Sequence, residues 1–283
     1  MLLADKISGA DVRRHYDDLD WLYRDIWGQH VHHGLWQTGK ESAAQAVEAL
    51  LEAVADRLDL QPGQQLCDIG CGYGASALYL AERHGVNVAG LTISPVQAKI
   101  ASSLRPGRGS VTVECRDWLS NSLPDGAFDR CYAIESSEHM ADKPAFFREA
   151  WRTLRPGGRL VVCAWLADRR ASRLSVRYLL EPICREGRLP GMGTRDDYQA
   201  MARAAGFEPA GYADISRNVR RTWSICARRV LGRLITDRRY RKLLRDAAFE
   251  NRVFALTIPR LIIAMRIGAM HYGLFTWKRA AAG

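Results

Sequence analysis

Two stretches of this 283-residue chain have the residue types and spacing to do chemistry. The first is "LCDIGCGYG" at 66–74, an apolar run holding Asp68 that ends in Gly70, Gly72 and Gly74. Glycines at such a turn let the backbone come close to a ligand. With Ala75 completing G-x-G-x-x-A, the turn fits a dinucleotide as well as the tighter G-x-G-x-G pattern, so the motif alone admits two cofactors. The second stretch is "AIESSEHM" at 133–140, where Glu135 and Glu138 lie three apart with His139 adjacent. On one helical turn two such carboxylates share a face. They could take a proton, steady a cation or hold an ammonium; equally, one of them could cap the following helix or bind cofactor. His139 could act as a general base near neutral pH.

These groups need a scaffold, and the pattern from residue 65 onward supplies one. Short apolar, strand-like runs ("QLCDIG", "VNVAGLTIS", "VTVECRDW", "FDRCYAIES", "GRLVVCAWL") alternate with helical stretches ("ASALYLAERHG", "PVQAKIASSL", "KPAFFREAWRTL"). That alternation predicts an α/β fold, a Rossmann-like parallel sheet with helices on both faces. "RPGG" at 155–158 predicts a helix stop followed by a turn. Residues 11–60 read as helices lying over one end of the sheet. In such sheets the ligand sits beyond the carboxyl ends of the strands, which selects residues 68–74, 92–97, 117–118 and 135–140.

The strand ends weigh the two cofactors against each other. A nicotinamide fold usually ends its second strand in an acid for the ribose; here that place holds Thr92 and Ser94, with Gln97 one turn on, and these are weaker partners. The third strand ends in Asp117 and Trp118, a carboxylate for an adenine amine and an aromatic face for its ring. That pair suits an adenosine held without a pyrophosphate.

Five ordered motifs, "CDIGCGYG", "GLTISPVQ", "CRDW", "AIESSEHMADK" and "LRPGGRLVV", together resemble the S-adenosylmethionine-dependent methyltransferases. With "IWGQHVHHGLW" at 26–36 the likeness narrows to the tocopherol-methyltransferase-like group, akin to sterol, alkaloid and cyclopropane-type enzymes, and it spans nearly the whole chain. The resemblance implies S-adenosyl-L-methionine as cofactor. The turn at Gly70, Gly72 and Gly74 would let the backbone approach its methionine part, and Asp68 counts among the cofactor-binding residues. Thr92, Ser94 and Gln97 would face the ribose, Asp117 and Trp118 would flank adenine, and Tyr16 would close over the amino-acid end. It also implies a functional acid at Glu135, and hence Glu135, Glu138 and His139 as catalytic candidates. His33, Trp36 and Trp223 are expected to line the acceptor pocket. "HVHH" at 30–33 lacks a cysteine or carboxylate at ligand spacing, so no metal is expected.

The formal charge of +10 is concentrated: residues 217–270 hold 14 Lys and Arg against 3 acids, and the rest of the chain is nearly neutral. "VRRTWSICARRVLGRLI" reads as an amphipathic helix with Val219, Trp223, Cys226, Val230 and Leu234 on its apolar side. The expected organisation is therefore an N-terminal helical cap at 1–60, a cofactor-binding domain at 61–216 and 271–283, and an Arg-rich helical lid at 217–270, inserted before the last strand. The lid could be a solvated face, meet an anionic substrate such as a prenyl diphosphate, or make peripheral contact with an anionic membrane. Function is expected to be methyl transfer to a small lipophilic acceptor (phenolic, isoprenoid or amine), carbon favoured over nitrogen. An RNA methyltransferase is the alternative that the charge encourages, but 135–139 carries no nucleic-acid methyltransferase motif and no appended RNA-binding module is evident, so no nucleic-acid partner is expected. Seven cysteines without a C-x-x-C pair predict a reducing, cytoplasmic setting. No signal peptide or membrane span is predicted, and the oligomeric state is left open.

Overall fold

The strand-helix alternation becomes a seven-stranded mixed sheet. The computed structural model describes residues 2–3, 7–245 and 254–281, so part of the basic segment, 246–253, lies outside the described residues. In chain order the strands are β1 (Leu2–Leu3), β2 (Gln65–Ile69), β3 (Asn87–Thr92), β4 (Ser110–Cys115), β5 (Phe128–Ile134), β6 (Leu154–Ala167), β7 (Gly191–Met192), β8 (Phe207–Asp214) and β9 (Met270–Arg279). The large sheet has the order β4-β3-β2-β5-β6-β9-β8, while β1 and β7 form a separate two-stranded ladder. Strands β2 to β6 pair in parallel and β9 runs antiparallel between β6 and β8. Strand order reverses between β2 and β5, which is where a sheet of this kind opens a crevice.

The pleat sorts side chains into two cores. Leu66, Tyr132, Val161 and Cys163 face one side, against the helices Ala43–Leu58 and Ala75–His84. Cys67, Ile69, Cys131 and Val162 face the other, against Lys143–Thr153 and Arg195–Ala204. Alternation of this kind follows from the two-residue period of a strand. The same period takes Asp68 away from the place the sequence reading gave it. It sits on the Leu66 side, 3% exposed, with its carboxylate accepting from Tyr132 Oη at 2.8 Å.

The predicted helix over 12–27 divides at Leu19 into Gly9–Asp18 and Asp20–Ile26. Ser8 begins the first with a reciprocal capping box to Asp11. Leu19 is fully buried at the break, so the second helix is free to turn Leu22 and Ile26 into the core. "RPGG" is a bulge within β6: Phe128 pairs with Leu154 and Arg130 with Arg159, so residues 155–158 are looped out, with Gly157 at φ +80°. Between β8 and β9 the chain forms the helices Ser216–Val219, Arg221–Thr236, Arg238–Arg245 and Phe254–Arg266. Val219, Trp223 and Cys226 point inward with Val230 and Leu234 partly buried, as the amphipathic spacing predicts. A further helical run, Arg173–Ser175, Val176–Leu180 and Glu181–Glu186, was not legible from the sequence.

Burial pushes the Asp68 carboxyl up to about 7. A group raised in this way stabilises the fold below its unfolded value of about 4, and that contribution is lost as pH rises through its folded value. Asp68→Asn is therefore expected to flatten the decline in unfolding free energy between about pH 4 and pH 7. A urea series over that range checks it; unchanged pH dependence would contradict the assignment.

Candidate active site

The crevice at the reversal point is a cleft of about 950 Å³ including its open mouth, and four strand ends build it. Gly70 and Gly72 come from the turn after β2, Thr92 and Gln97 from the end of β3, Asp117 and Trp118 from the end of β4, and Glu135 and His139 from the end of β5. Gly9, Val12 and Tyr16 of the first long helix cover it. Gly70 stands at φ +82° and a Cβ there would come within 2.4 Å of Ser136 Cβ. Gly72, at φ +54°, faces open space, so its bare backbone forms one wall of the cleft.

The polar groups around this wall fit an adenosyl ligand with an amino-acid end. Thr92 Oγ1 donates to Gln97 Oε1 at 2.6 Å, and the carboxamide is thereby held on the cleft side. Asp117 accepts from Leu119 N at 2.9 Å through one oxygen, fixing the carboxylate at the head of the turn Trp118–Ser120. Trp118 is 2% exposed and anchors its indole N–H on the Phe146 carbonyl at 3.2 Å.

Three expected cofactor residues are not part of the lining. Asp68 lies within the sheet against Tyr132. Ser94 is the N-cap of Pro95–Ala101, accepting from Gln97 N and donating to Asp17. Gly74 starts the helix Ala75–His84 at φ +76°, where a Cβ would meet Leu104 Cδ1 at 2.7 Å; its task is helix packing. Val12, Ile93 and Arg116 also line the cleft and were not named; Ile93 lies within "GLTISPVQ" and Arg116 within "CRDW", whereas Val12 carries no motif.

Behind the cleft lies a second cavity of about 560 Å³ including its mouth, and Tyr16, Val31, Glu135 and His139 line both. Five aromatic rings and four aliphatic side chains make up most of its wall. Trp223 belongs to it, as expected. His33 stands one layer back, its ring against Trp165, Trp223 and Tyr272. Trp36 is elsewhere: it lines a different cavity and donates its indole N–H to the Glu41 carbonyl at 3.0 Å. Trp165, Ile183, Leu189 and Leu261 line the cavity and were not foreseen. A tryptophan near the carboxyl end of β6 was the one available signal; Ile183, Leu189 and Leu261 gave none.

The three polar groups on this wall differ sharply. Glu135 leaves β5 in the left-handed region, φ +54°, and four donors hold it. His33 N and Tyr272 Oη reach Oε1 at 2.7 Å each; His33 Nδ1 and Trp165 Nε1 reach Oε2 at 2.9 and 3.1 Å. Burial opposes its charge, but the His33 ring and its hydrogen bonds outweigh that and hold the carboxyl down at about 2. Glu138 is 1% exposed, and burial, with Glu135 adding, pushes it up to about 7. It accepts from Trp165 N at 2.6 Å and from Ser137 Oγ at 3.1 Å. Burial lowers His139 to about 4. Its Nδ1 meets the Arg188 carbonyl at 3.3 Å, which assigns the proton there and leaves Nε2 to accept from Tyr16 Oη at 2.9 Å.

Among the described residues the basic segment sends no charge into this cavity, whose lining there holds neither Lys nor Arg. Arg229 and Arg221 donate to the carbonyls of Ile26 and Gly39, Arg233 pairs with Asp25, and Arg260 reaches Glu186 at 2.7 Å. No group of three or more metal-binding side chains occurs among the described residues.

Replacing Glu135 by Gln sets an amide N–H₂ against fixed donors. The variant is expected to lose about 3 kcal/mol or more of stability, read as a lower Tm, together with turnover. Asp117→Ala is expected to cost only about 1 kcal/mol from the lost cap and to weaken S-adenosylhomocysteine about tenfold by calorimetry, since a lost hydrogen bond between a charged group and its partner is of that order. A fully stable Glu135→Gln variant would contradict the four-donor account.

Residues 5–232 match the model of the mycolic acid cyclopropane synthetase family. The chain is 30% identical to the chloroplastic tocopherol O-methyltransferase of Arabidopsis thaliana over 95% of its own length and 81% of that protein. In structure it is similar to the [4+2]-cyclase SpnF, with TM-score 0.81, 27% identity and 99% of both chains covered. It shares its fold with the cyclopropane synthase CmaA1, solved with S-adenosylhomocysteine and the detergent CTAB, at TM-score 0.82 and 23% identity, covering 95% of this chain and 98% of that one. The family match and the tocopherol O-methyltransferase relative establish that the chain belongs to the mycolic acid cyclopropane synthetase family and is an S-adenosylmethionine-dependent methyltransferase.

Proposed function

We propose that the acceptor is an uncharged, lipophilic, phenol-like molecule, methylated on carbon in preference to nitrogen, and that Glu138 receives the proton it gives up. The carrying observation is the cavity itself: an aromatic and aliphatic wall, shared with the cofactor cleft through Glu135 and His139, with no Lys or Arg among the described residues that line it. A prenyl diphosphate would be buried there without a counter-charge, which is costly. An amine beside the ionised Glu135 would be held as ammonium and lose the lone pair it needs. A phenol-like ring faces neither penalty. The tocopherol O-methyltransferase relative acts, by its name, on a molecule of this kind.

S-Adenosylmethionine, when bound, supplies an electrophilic methyl group. The chain's own residues do the rest. Gly72, Gln97, Asp117 and Trp118 would hold the cofactor, and the aromatic wall would orient the acceptor and exclude water. Glu135, tied to four donors, acts as a fixed charge at the junction. Glu138, matched to neutral pH, is the group able to take a proton from the acceptor. His139 holds Tyr16 across the passage between cleft and cavity.

A cytoplasmic, biosynthetic setting belongs to the same reading, supported by seven free cysteines of which six are buried. So does collection of a lipophilic acceptor at a membrane surface, supported by the basic segment beside the cavity.

The test is methyl transfer from labelled donor to prenylated hydroquinones, simple phenols, amines, geranyl diphosphate and RNA, with the product's site of methylation read by NMR. Transfer to phenolic acceptors is expected; preferential labelling of RNA or of the diphosphate would overturn the reading. The rate should rise with pH through an apparent pKa near 7, because the base works only when deprotonated. Glu138→Gln should remove that limb and lower kcat about 10²–10⁴-fold.

A further inference from the structure

Three helical segments roof the acceptor cavity: residues 173–186, Arg221–Thr236 and Phe254–Arg266, the last packed against both others. Their inner faces line it, through Ile183, Trp223, Thr257 and Leu261. Their outer faces carry Leu174, Tyr178, Leu231, Ile235, Ile263 and Ile267, each 47% to 73% exposed. Those are six of the seven large apolar side chains exposed among the described residues, so the clustering is a property of the roof rather than of the surface at large. At about 100° per residue, Ile263 lies about 200° around its helix from the cavity-lining Leu261.

The charge on the same surface is one-sided. Arg173, Arg177, Arg228 and Arg266 are exposed and make no ion pair among the described residues. Arg177 lies over the Tyr178 ring at 5.5 Å. Of the acids nearby, Glu186 is held by Arg260 and Asp237 by Arg239, which leaves Glu181. No helix of the described residues is long and apolar enough to cross a membrane.

We infer that the outer face of this roof docks on an anionic lipid bilayer. Its six apolar side chains enter the acyl boundary and the unpaired arginines meet lipid phosphates. An interfacial surface of this type combines buried apolar area with attraction between Lys or Arg and anionic headgroups. Docking in this orientation puts the cavity one helix layer from the phase in which a lipophilic acceptor dissolves. The functional meaning rests on the proposal that the acceptor is lipophilic; the docking itself rests only on the surface.

Co-sedimentation of the full chain with vesicles of phosphatidylcholine and phosphatidylglycerol, against phosphatidylcholine alone, is the test. Binding is expected to the anionic vesicles, weakening with added salt. It should fall about tenfold or more in Ile235→Glu/Ile263→Glu and in Arg228→Glu/Arg266→Glu, while both variants keep their Tm and their turnover of a detergent-dispersed acceptor. Equal binding to both vesicle types, or full binding by both variants, would overturn the inference. A chain that ignores vesicles but forms a dimer that Ile235→Glu/Ile263→Glu dissociates would assign the face to a second copy instead. Turnover of a lipophilic acceptor without vesicle binding sinks the docking alone; vesicle binding without such turnover sinks the proposed function alone.

Discussion

The carboxylate of Glu135 ties the site together. Its two oxygens collect donors from the loop at His33, from Trp165 on β6 and from Tyr272 on β9, so segments far apart in the chain meet at one charge. A buried carboxylate is tolerable only when its lone pairs are satisfied, and here all four donors are in place. The backbone at Glu135 is left-handed, unusual for a side chain with a Cβ, and the residue keeps that conformation while its carboxylate meets all four donors. Because the residue also lines both cavities, the interaction that closes the N-terminal segment onto the sheet sets the wall between them.

Around that wall the molecule divides its work. The carboxyl ends of β2 to β5 carry the cofactor cleft, with glycine backbone on one side and fixed polar groups on the other. The second cavity is walled largely by the N-terminal helices, the helical run at 173–186, Arg221–Thr236 and Phe254–Arg266. Neighbouring carboxyls are driven apart there by their surroundings. Glu135 is kept ionised by its donors, whereas Glu138, with fewer, is pushed to neutral pH by burial and by Glu135 itself. Two acids three residues apart thus have different chemistry for reasons that lie outside their own segment.

The charge of the chain shows the same dependence on context. Some arginines of the basic segment are structural ties, bonded to Asp25, Glu186 and the carbonyls of Ile26 and Gly39. Others make no ion pair among the described residues. A net charge counted along the sequence could not separate the two groups, because pairing is decided by which segments come to lie beside the helices.

What the sequence determined by itself was the periodic and local part. Strand and helix alternation, the glycine turn at Gly70 and Gly72, the pairing of Asp117 with Trp118 and the amphipathic spacing around Trp223 were all legible, since each depends on neighbours a few residues away. Four residues expected at the two sites lie outside the cavity linings for reasons of tertiary contact: Asp68 bonds Tyr132 within the sheet, Ser94 caps a helix, Gly74 leaves no room for a Cβ beside Leu104, and Trp36 lines another cavity. The bonds of Glu135 to Trp165 and Tyr272, and the aliphatic part of the cavity wall at Ile183, Leu189 and Leu261, were invisible, because these residues are brought together only when the sheet closes and the roof packs. Long-range packing carries no spacing rule, so the tertiary structure alone decided what the acceptor meets.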